Sequence, residues 1–182
     1  AGLSNEEFAS KLRSIAFPFA AASDDTSIEI YHGSHGQYET RSPVRTFALC
    51  DIEGAPHLLA AYTCTPLVKI PVSKLEPGKK VMGDTVAELG NRNRPLDMVV
   101  YEKDGQDHVL MANSARGLMK ISLTRIANTE PITEQVSDKA GLEYETIGEM
   151  AGIVQLDRLN ADNAVVVIQT DGGQNLSTMA LP

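Results

Sequence analysis

Apolar and polar positions along the chain follow a pattern that repeats after 51 residues. Residues 57–70 read HLLAAYTCTPLVKI, residues 108–121 read HVLMANSARGLMKI, and six of the fourteen positions are identical. In both copies an apolar run is followed by a short polar break and a second apolar run, which predicts two β-strands. The two apolar runs are similar in both copies, and the break between them varies. We therefore predict that the runs pack in the core and that the breaks face a ligand, each copy in a different way.

A further strand precedes each copy, and a turn signal joins it to the repeated segment. Residues 43–51 (PVRTFALCD) and 95–103 (PLDMVVYEK) are β-rich runs, followed by Gly54 and by Asp104-Gly105. Two such runs separated by a glycine-containing turn predict a β-hairpin. Residues 85–89 add a fourth strand to the first copy, so each unit is predicted to be a four-stranded antiparallel meander.

A third, weaker copy follows, and part of another precedes the first. Residues 152–157, 164–168 and 176–181 supply three strands of the later copy, whereas 27–31 and 11–15 match the fourth and third strands of an earlier one. We therefore divide the chain, as a single domain, into a partial unit 1–42, two full units 43–94 and 95–147, and a partial unit 148–182.

A period of about fifty residues with four strands per period is typical of a β-propeller. The sequence resembles the NHL-repeat and gluconolactonase-like propellers, because Asp104-Gly105 followed by His108-Val-Leu-Met-Ala112 matches their hairpin between first and second strands. The resemblance implies an all-β propeller segment in which each unit is a blade. The rest of a longer chain or another subunit would complete the ring. A β-sandwich of about a dozen short strands is the alternative, but it has no reason to repeat at this interval.

Composition excludes some partners. The chain has 16 basic and 24 acidic residues, no tryptophan and 5% aromatic residues, which disfavours nucleic acid. No run approaches the ~20 apolar residues of a membrane span. We favour a periplasmic or secreted location.

The two cysteines are predicted to be free thiols that fill small spaces in the core. Pairing about the turn 53–56 places Cys50 opposite Leu59, and Cys64 lies five residues farther along. That separation is roughly 17 Å in a strand, whereas a disulfide requires α-carbons within about 7 Å.

Arginine is concentrated in one set of loops. The resemblance implies that the connections between blades and the breaks between second and third strands open at the same end of the ring. Five of the eight arginines and none of the eight lysines lie in or beside these segments. The planar guanidinium suits carboxylate and phosphate, so we predict a site for a small anionic ligand or an acidic partner group. Ion pairs with local carboxylates such as Asp97 or Glu88 are the alternative. The predicted ligand-binding residues are Arg41, Arg45, Arg92, Arg94, Asp97, Asn113 and Arg116.

The longest of these loops also contains a histidine pair. His32 and His35 have the spacing HxxH, and Glu39 could complete a site for a divalent metal ion. A solvated or hydrogen-bonded pair is the alternative. In a catalytic version, His35 or Tyr38 acts as a general base while arginine holds an acidic substrate. His57 and His108 occupy matching repeat positions, for which a structural role is predicted.

Three functions follow from these residues. The first is a binding module that recognises an anion. The second is a lyase or hydrolase, with or without a metal, acting on an acidic or sugar-like substrate. The third is a scaffold without a small-molecule site, so the sequence leaves open whether the protein is an enzyme.

Overall fold

The structure is a computed structural model that describes residues 10–148 and 150–182. It is all-β, which confirms the predicted fold class, and its only helical segments in those residues are two single 3-10 turns, Val72–Lys74 and Ile126–Asn128. No helix in the described residues has the length and apolar character to cross a membrane. The strands are β1 Lys11–Leu12, β2 Thr26–His32, β3 Gln37–Glu39, β4 Val44–Ile52, β5 Ala55–Tyr62, β6 Pro66–Pro71, β7 Lys80–Leu89, β8 Pro95–Lys103, β9 Gln106–Asn113, β10 Gly117–Ser122, β11 Lys139–Gly141, β12 Tyr144–Ile147, β13 Ile153–Arg158, β14 Asn163–Thr170 and β15 Gly173–Ala180.

The two repeated units form antiparallel meanders, β4–β5–β6–β7 and β8–β9–β10–β12, and β13–β14–β15 form a third. The first two meanders begin with the same kind of turn. Glu53 and Gly54 have φ of 53° and 78°, and Asp104 and Gly105 have φ of 53° and 73°. Two successive residues with positive φ are characteristic of the two-residue turns whose twist matches that of a hairpin. The sequence repeat is therefore also a repeat of turn geometry.

The central strands explain why the repeated runs contain successive apolar residues. In β9, Leu110 packs into one apolar cluster and Met111 into another, and both side chains are fully buried. Successive side chains of a strand point to opposite faces, so a strand covered on both faces needs a continuous apolar run. Leu58 and Leu59 of β5 divide between two clusters in the same way.

The three sheets stack with an apolar layer on each side of the middle sheet. One layer joins the β4–β7 sheet to the β8–β12 sheet, and the other joins the β8–β12 sheet to β13–β15. The first strands of the sheets are neighbours, since β8 lies against β4 and also against β13. The arrangement of blades around a propeller axis stays a prediction.

The segment before the first repeat differs from our interpretation. Residues 27–31 were predicted as the fourth strand of a separate unit within 1–42, but β2 pairs in parallel with β7, from Ser27 opposite Lys80 to Ile30 opposite Gly83. It therefore extends the β4–β7 sheet. Ile28 and Ile30 pack with residues of β5, β6 and β7 in one cluster, so apolar burial favours this pairing. Part of the third strand predicted at residues 11–15 is present as β1, which is antiparallel to β2. Residues 1–9 lie outside the described residues.

The hairpin register also differs from the predicted one. Cys50 lies opposite His57, and Leu59 lies opposite Ala48. The reason is that Glu53 and Gly54 alone form the turn, whereas the prediction assumed a loop of four residues. Both cysteines are free, as predicted; Cys50 is buried and Cys64 is half-buried.

Candidate functional site

A pocket of about 520 Å³ opens where the connection after β2 meets the break between β5 and β6. The backbone N–H of Thr63 donates to the carbonyl of Pro43 at 3.0 Å and holds the two segments together. We call this the histidine pocket; its lining residues include His32, His35, Tyr38, Glu39, Arg41 and Cys64. Two loops that the sequence predicted at one end therefore form one wall.

A tight turn brings the two histidines together. Gly36 has φ of 66°, and its N–H donates to the carbonyl of His32 at 2.9 Å, so the chain folds back over the end of β2. The imidazole centroids of His32 and His35 are 3.7 Å apart. The side chain of His32 is 2% exposed, whereas that of His35 is 49% exposed. Both rings line the pocket, with that of His32 buried at its base and that of His35 half exposed.

Glu39 contacts both rings. Its Oε2 lies 2.9 Å from His32 Nδ1, and its Oε1 lies 2.6 Å from His35 Nδ1. Burial alone would raise the pKa of Glu39, but hydrogen bonds from Ser42, His32, His35 and Gln37 outweigh it and lower the pKa to about 2. Each carboxylate oxygen contacts one ring, so Glu39 orients both imidazoles. The metal-ligand role predicted for Glu39 stays a prediction.

Cys64 is a site residue that the sequence reasoning missed. Its thiol and a ring nitrogen from each of His32 and His35 all lie within 4.8 Å of one another. Cys64 has φ of 78°, in the left-handed region that non-glycine residues rarely adopt. We predicted a core filler, but the signal that could have found it is its place in a break predicted at the same end as the HxxH loop.

Beneath the histidines lies a buried carboxyl group. Glu88 is 1% exposed, and its Oε1 accepts the N–H of Gly33 at 2.6 Å. Its Oε2 has no hydrogen-bond partner among the described residues. Burial raises the pKa of Glu88 even though Thr65, Gly33 and His32 favour its ionised form. Burial therefore favours the protonated form of this carboxyl group, which lies next to the turn that follows His32.

Tyr38, the other predicted general base, lies on the pocket wall. Its ring packs edge-on against Tyr31, with centroids 5.1 Å apart, and the residue is 55% exposed. His35 and Tyr38 therefore share one pocket with Arg41, which is also exposed. The catalytic role predicted for them remains a prediction.

The other four arginines gather around the loop 90–95, and we call them the arginine surface: Arg45, Arg92, Arg94 and Arg116. Arg45 Nε donates to the carbonyl of Pro95 at 2.7 Å, and Arg116 Nη2 donates to the carbonyl of Asn91 at 2.7 Å. The side chains of Arg92 and Arg94 are exposed. The structure thus brings together side chains that are more than seventy residues apart in the chain.

Asp97 and Asn113, two further predicted ligand-binding residues, accept hydrogen bonds from backbone N–H groups. Asp97 accepts the N–H of Met98 and that of Leu156, both at 3.0 Å. Asn113 is buried, and its Oδ1 accepts the N–H groups of Arg94 and Ala115. These hydrogen bonds fix the neighbouring backbone, and the ligand-binding role predicted for both residues stays a prediction.

The alternative of local ion pairs does not occur. Within residues 10–148 and 150–182, no carboxylate oxygen lies within 4.0 Å of a guanidinium nitrogen of these five arginines. Arg116 has further partners, since its guanidinium lies 5.9 Å from the ring centroid of Tyr144, and its Nε is buried without a hydrogen-bond partner in the described part.

The repeated histidines have equivalent contacts. His57 Nδ1 lies 2.8 Å from the carbonyl of Ala55, and His108 Nδ1 lies 2.9 Å from that of Gln106. The same local contact at both repeat positions agrees with the structural role predicted for them. No protein-family model matches the sequence, and a search of curated proteins finds no match either.

Proposed function

We propose that the protein is a binding module that recognises a small anionic ligand, or an acidic group of a partner, through the arginine surface. The observation that carries the proposal is the lack of any carboxylate partner, within the described residues, for arginines grouped around one loop. In a chain of net charge −8, carboxylates are plentiful. Guanidinium groups left free among them are available to an external anion.

The four arginines divide into two roles. Arg45 and Arg116 each use one N–H to hold a backbone carbonyl, which fixes the loop 90–95. A guanidinium has five N–H donors, so each keeps others for a ligand. Arg92 and Arg94 are exposed and are the residues that bind the anion through charge-assisted hydrogen bonds.

We further propose that the three stacked sheets are consecutive blades of a β-propeller with β4, β8 and β13 as inner strands. Support comes from the contacts of β8 with both other first strands and from apolar layers on both faces of the middle sheet. A two-layer sandwich does not account for the second layer. The remainder of a propeller, or another subunit, would complete the ring.

A charge-matched pair of double variants tests the binding proposal. Arg92→Ala with Arg94→Ala removes two exposed arginines of the surface, and Arg125→Ala with Arg158→Ala removes two exposed arginines outside it. Binding of citrate and of inorganic phosphate is measured by calorimetry at low salt. Hydrogen bonds to charged groups contribute about 1.5–3 kcal/mol each, so the first double variant should bind at least about tenfold more weakly. The second should match the parent protein.

Equal weakening in both double variants would attribute binding to overall charge and overturn the proposal. Failure of the parent protein to bind either anion would also overturn it.

A second candidate function is a lyase or hydrolase acting in the histidine pocket. The observation that favours it is the shared lining by His35, Tyr38 and Arg41, which combines proton-transfer groups with a cation for an acidic substrate. Cleavage of uronate-containing oligosaccharides, lost in His35→Gln and in Tyr38→Phe, would support it. Absence of cleavage by the parent protein across such substrates would leave the binding module as the function.

A further inference from the structure

We propose that His32, His35 and Cys64 form a zinc site at the base of the histidine pocket. The three residues come from two loops, and their ligand atoms lie within 4.8 Å of one another. A tetrahedral zinc with bonds of about 2.0–2.3 Å separates its ligands by about 3.3–3.8 Å. The remaining gap is at most about 1.5 Å, and the half-exposed His35 side chain can move to close part of it.

The orientation of the imidazoles supports metal binding at the opposite nitrogens. A carboxylate only accepts hydrogen bonds, so Glu39 fixes the proton of both rings on Nδ1. Each Nε2 then carries a lone pair. A histidine bound to zinc commonly donates its other N–H to a carboxylate, and here one carboxylate serves two histidines. Glu39 is therefore a positioning residue.

The other polar contacts of His32 and Cys64 leave both residues able to bind a metal. His32 Nε2 lies 3.0 Å from the hydroxyl of Thr65, and the thiol of Cys64 lies 3.8 Å from the hydroxyl of Ser34. Both are neutral hydrogen bonds that a metal–ligand bond can replace.

The donor set selects the metal. Two imidazoles and a thiolate are nitrogen and sulfur ligands, which favour zinc over magnesium or calcium. Three protein ligands leave a fourth position for water or a ligand, as in zinc sites that do chemistry. All three residues line the pocket, so that position faces the space bordered by Arg41. The site therefore accepts an anionic ligand.

Metal titration of the chelator-treated protein tests the site. Zinc is measured by calorimetry, and cobalt by its absorption, because a thiolate ligand produces a charge-transfer band. We expect one metal per chain and a thiolate band. Cys64→Ser should remove the band and weaken zinc binding at least about a hundredfold, while Cys50→Ser should leave both unchanged. His35→Gln and His57→Gln form the corresponding pair for the imidazoles.

Glu39→Gln separates positioning from ligation. It should weaken zinc binding about ten- to hundredfold while the thiolate band of the cobalt form is retained. Loss of that band in Glu39→Gln would mean that Glu39 is needed for coordination itself, and the assignment of its role would be wrong.

A third measurement covers the case in which Cys64→Ser does not fold. In the parent protein, zinc should protect Cys64 from alkylation and leave the rate at Cys50 unchanged. Equal rates at Cys64 with and without zinc, or zinc binding by Cys64→Ser as tight as by the parent, would overturn the proposal. The site is independent of the arginine surface, so the Arg92 and Arg94 double variant should bind zinc normally.

Discussion

The carboxylate of Asp97 in β8 accepts the backbone N–H of Leu156 in β13 at 3.0 Å, and so joins the second sheet to the third. Both residues lie at the interface of the two sheets, and Leu156 is 5% exposed. A hydrogen bond in this place fixes the height of one sheet relative to the next, which apolar contacts alone leave free to slide.

Replacing Asp97 should therefore loosen the third sheet. In Asp97→Ala the N–H of Leu156 loses its acceptor in a largely buried position, which costs about 1–3 kcal/mol. Denaturant unfolding measures the change. Glu102→Ala removes an exposed carboxylate from the same strand and should change stability by less than about 0.5 kcal/mol. Similar losses in both variants would contradict a specific role for Asp97.

Stability should fall with acid partly through Glu39. The hydrogen bonds of the folded protein lower its pKa to about 2, below the ordinary value of 4.5. The ionised carboxylate therefore makes its full contribution to the free energy of unfolding above about pH 4.5. This contribution is lost as the pH falls towards 2. Because Glu39 keeps some contact with water, we expect about 2 kcal/mol rather than the full value of the shift.

Urea unfolding of the parent protein and of Glu39→Gln between pH 2 and 6 checks this expectation. The variant should be less stable near pH 6, and the two proteins should converge at the acid end. Parallel curves over the whole range would show that Glu39 does not contribute in this way.

Two glycines with the same backbone conformation should differ in tolerance of a side chain. Gly141 in β11 and Gly105 in the second hairpin have φ of 75° and 73°. A Cβ at Gly141 would lie 2.1 Å from the carbonyl oxygen of Val86, whereas a Cβ at Gly105 meets nothing within 4 Å. The left-handed conformation itself costs an ordinary residue about 1–2 kcal/mol, and only Gly141→Ala adds a clash.

We therefore expect Gly105→Ala to lose about 1 kcal/mol and Gly141→Ala to lose more than about 2 kcal/mol. Amide exchange should also accelerate at Leu142, whose N–H donates to Val86, in the second variant only. If the two alanine variants unfold at the same denaturant concentration, the close approach of β11 to β7 is not what limits position 141.

The two thiols should differ in reactivity. Burial and, less strongly, the charges of Asp107 and Asp51 raise the pKa of Cys50 to about 11. Cys64 is half-buried and lines the pocket. Since the thiolate is the reactive form, iodoacetamide at pH 8 should modify Cys64 at least about tenfold faster than Cys50. Peptide mass spectrometry of the metal-free protein measures both rates, and faster labelling of Cys50 would refute the assignment.

Much of the fold could be predicted because it depends on local signals. The turns at Glu53-Gly54 and Asp104-Gly105 and the apolar runs of β5 and β9 mark the meanders. The parallel pairing of β2 with β7 could not be predicted. An apolar strand has the same sequence pattern whether it pairs within a sheet or packs against the face of one. Turn length likewise decided the register of Cys50.

The site was predicted in part. The HxxH spacing and the arginines identified the loops, because both can be read directly from the sequence. The contacts of Glu39 with both histidines depend on how the turn at Gly36 folds back. The presence of Cys64 in the site depends on which loops meet in the tertiary structure. The contact of Asp97 with Leu156 could not be predicted for a similar reason, since Leu156 lies in another sheet.

The outer edge of β7 has a consequence for association between molecules. Residues 80–83 pair with β2 and residues 87–89 with β11, while the carbonyls of Thr85 and Val86 accept the N–H groups of Ile132 and Leu142. An exposed edge of such length would offer a template for foreign strands and for fibril growth. Here three distant parts of the same chain occupy that template, so polymerisation by strand addition is blocked along this border.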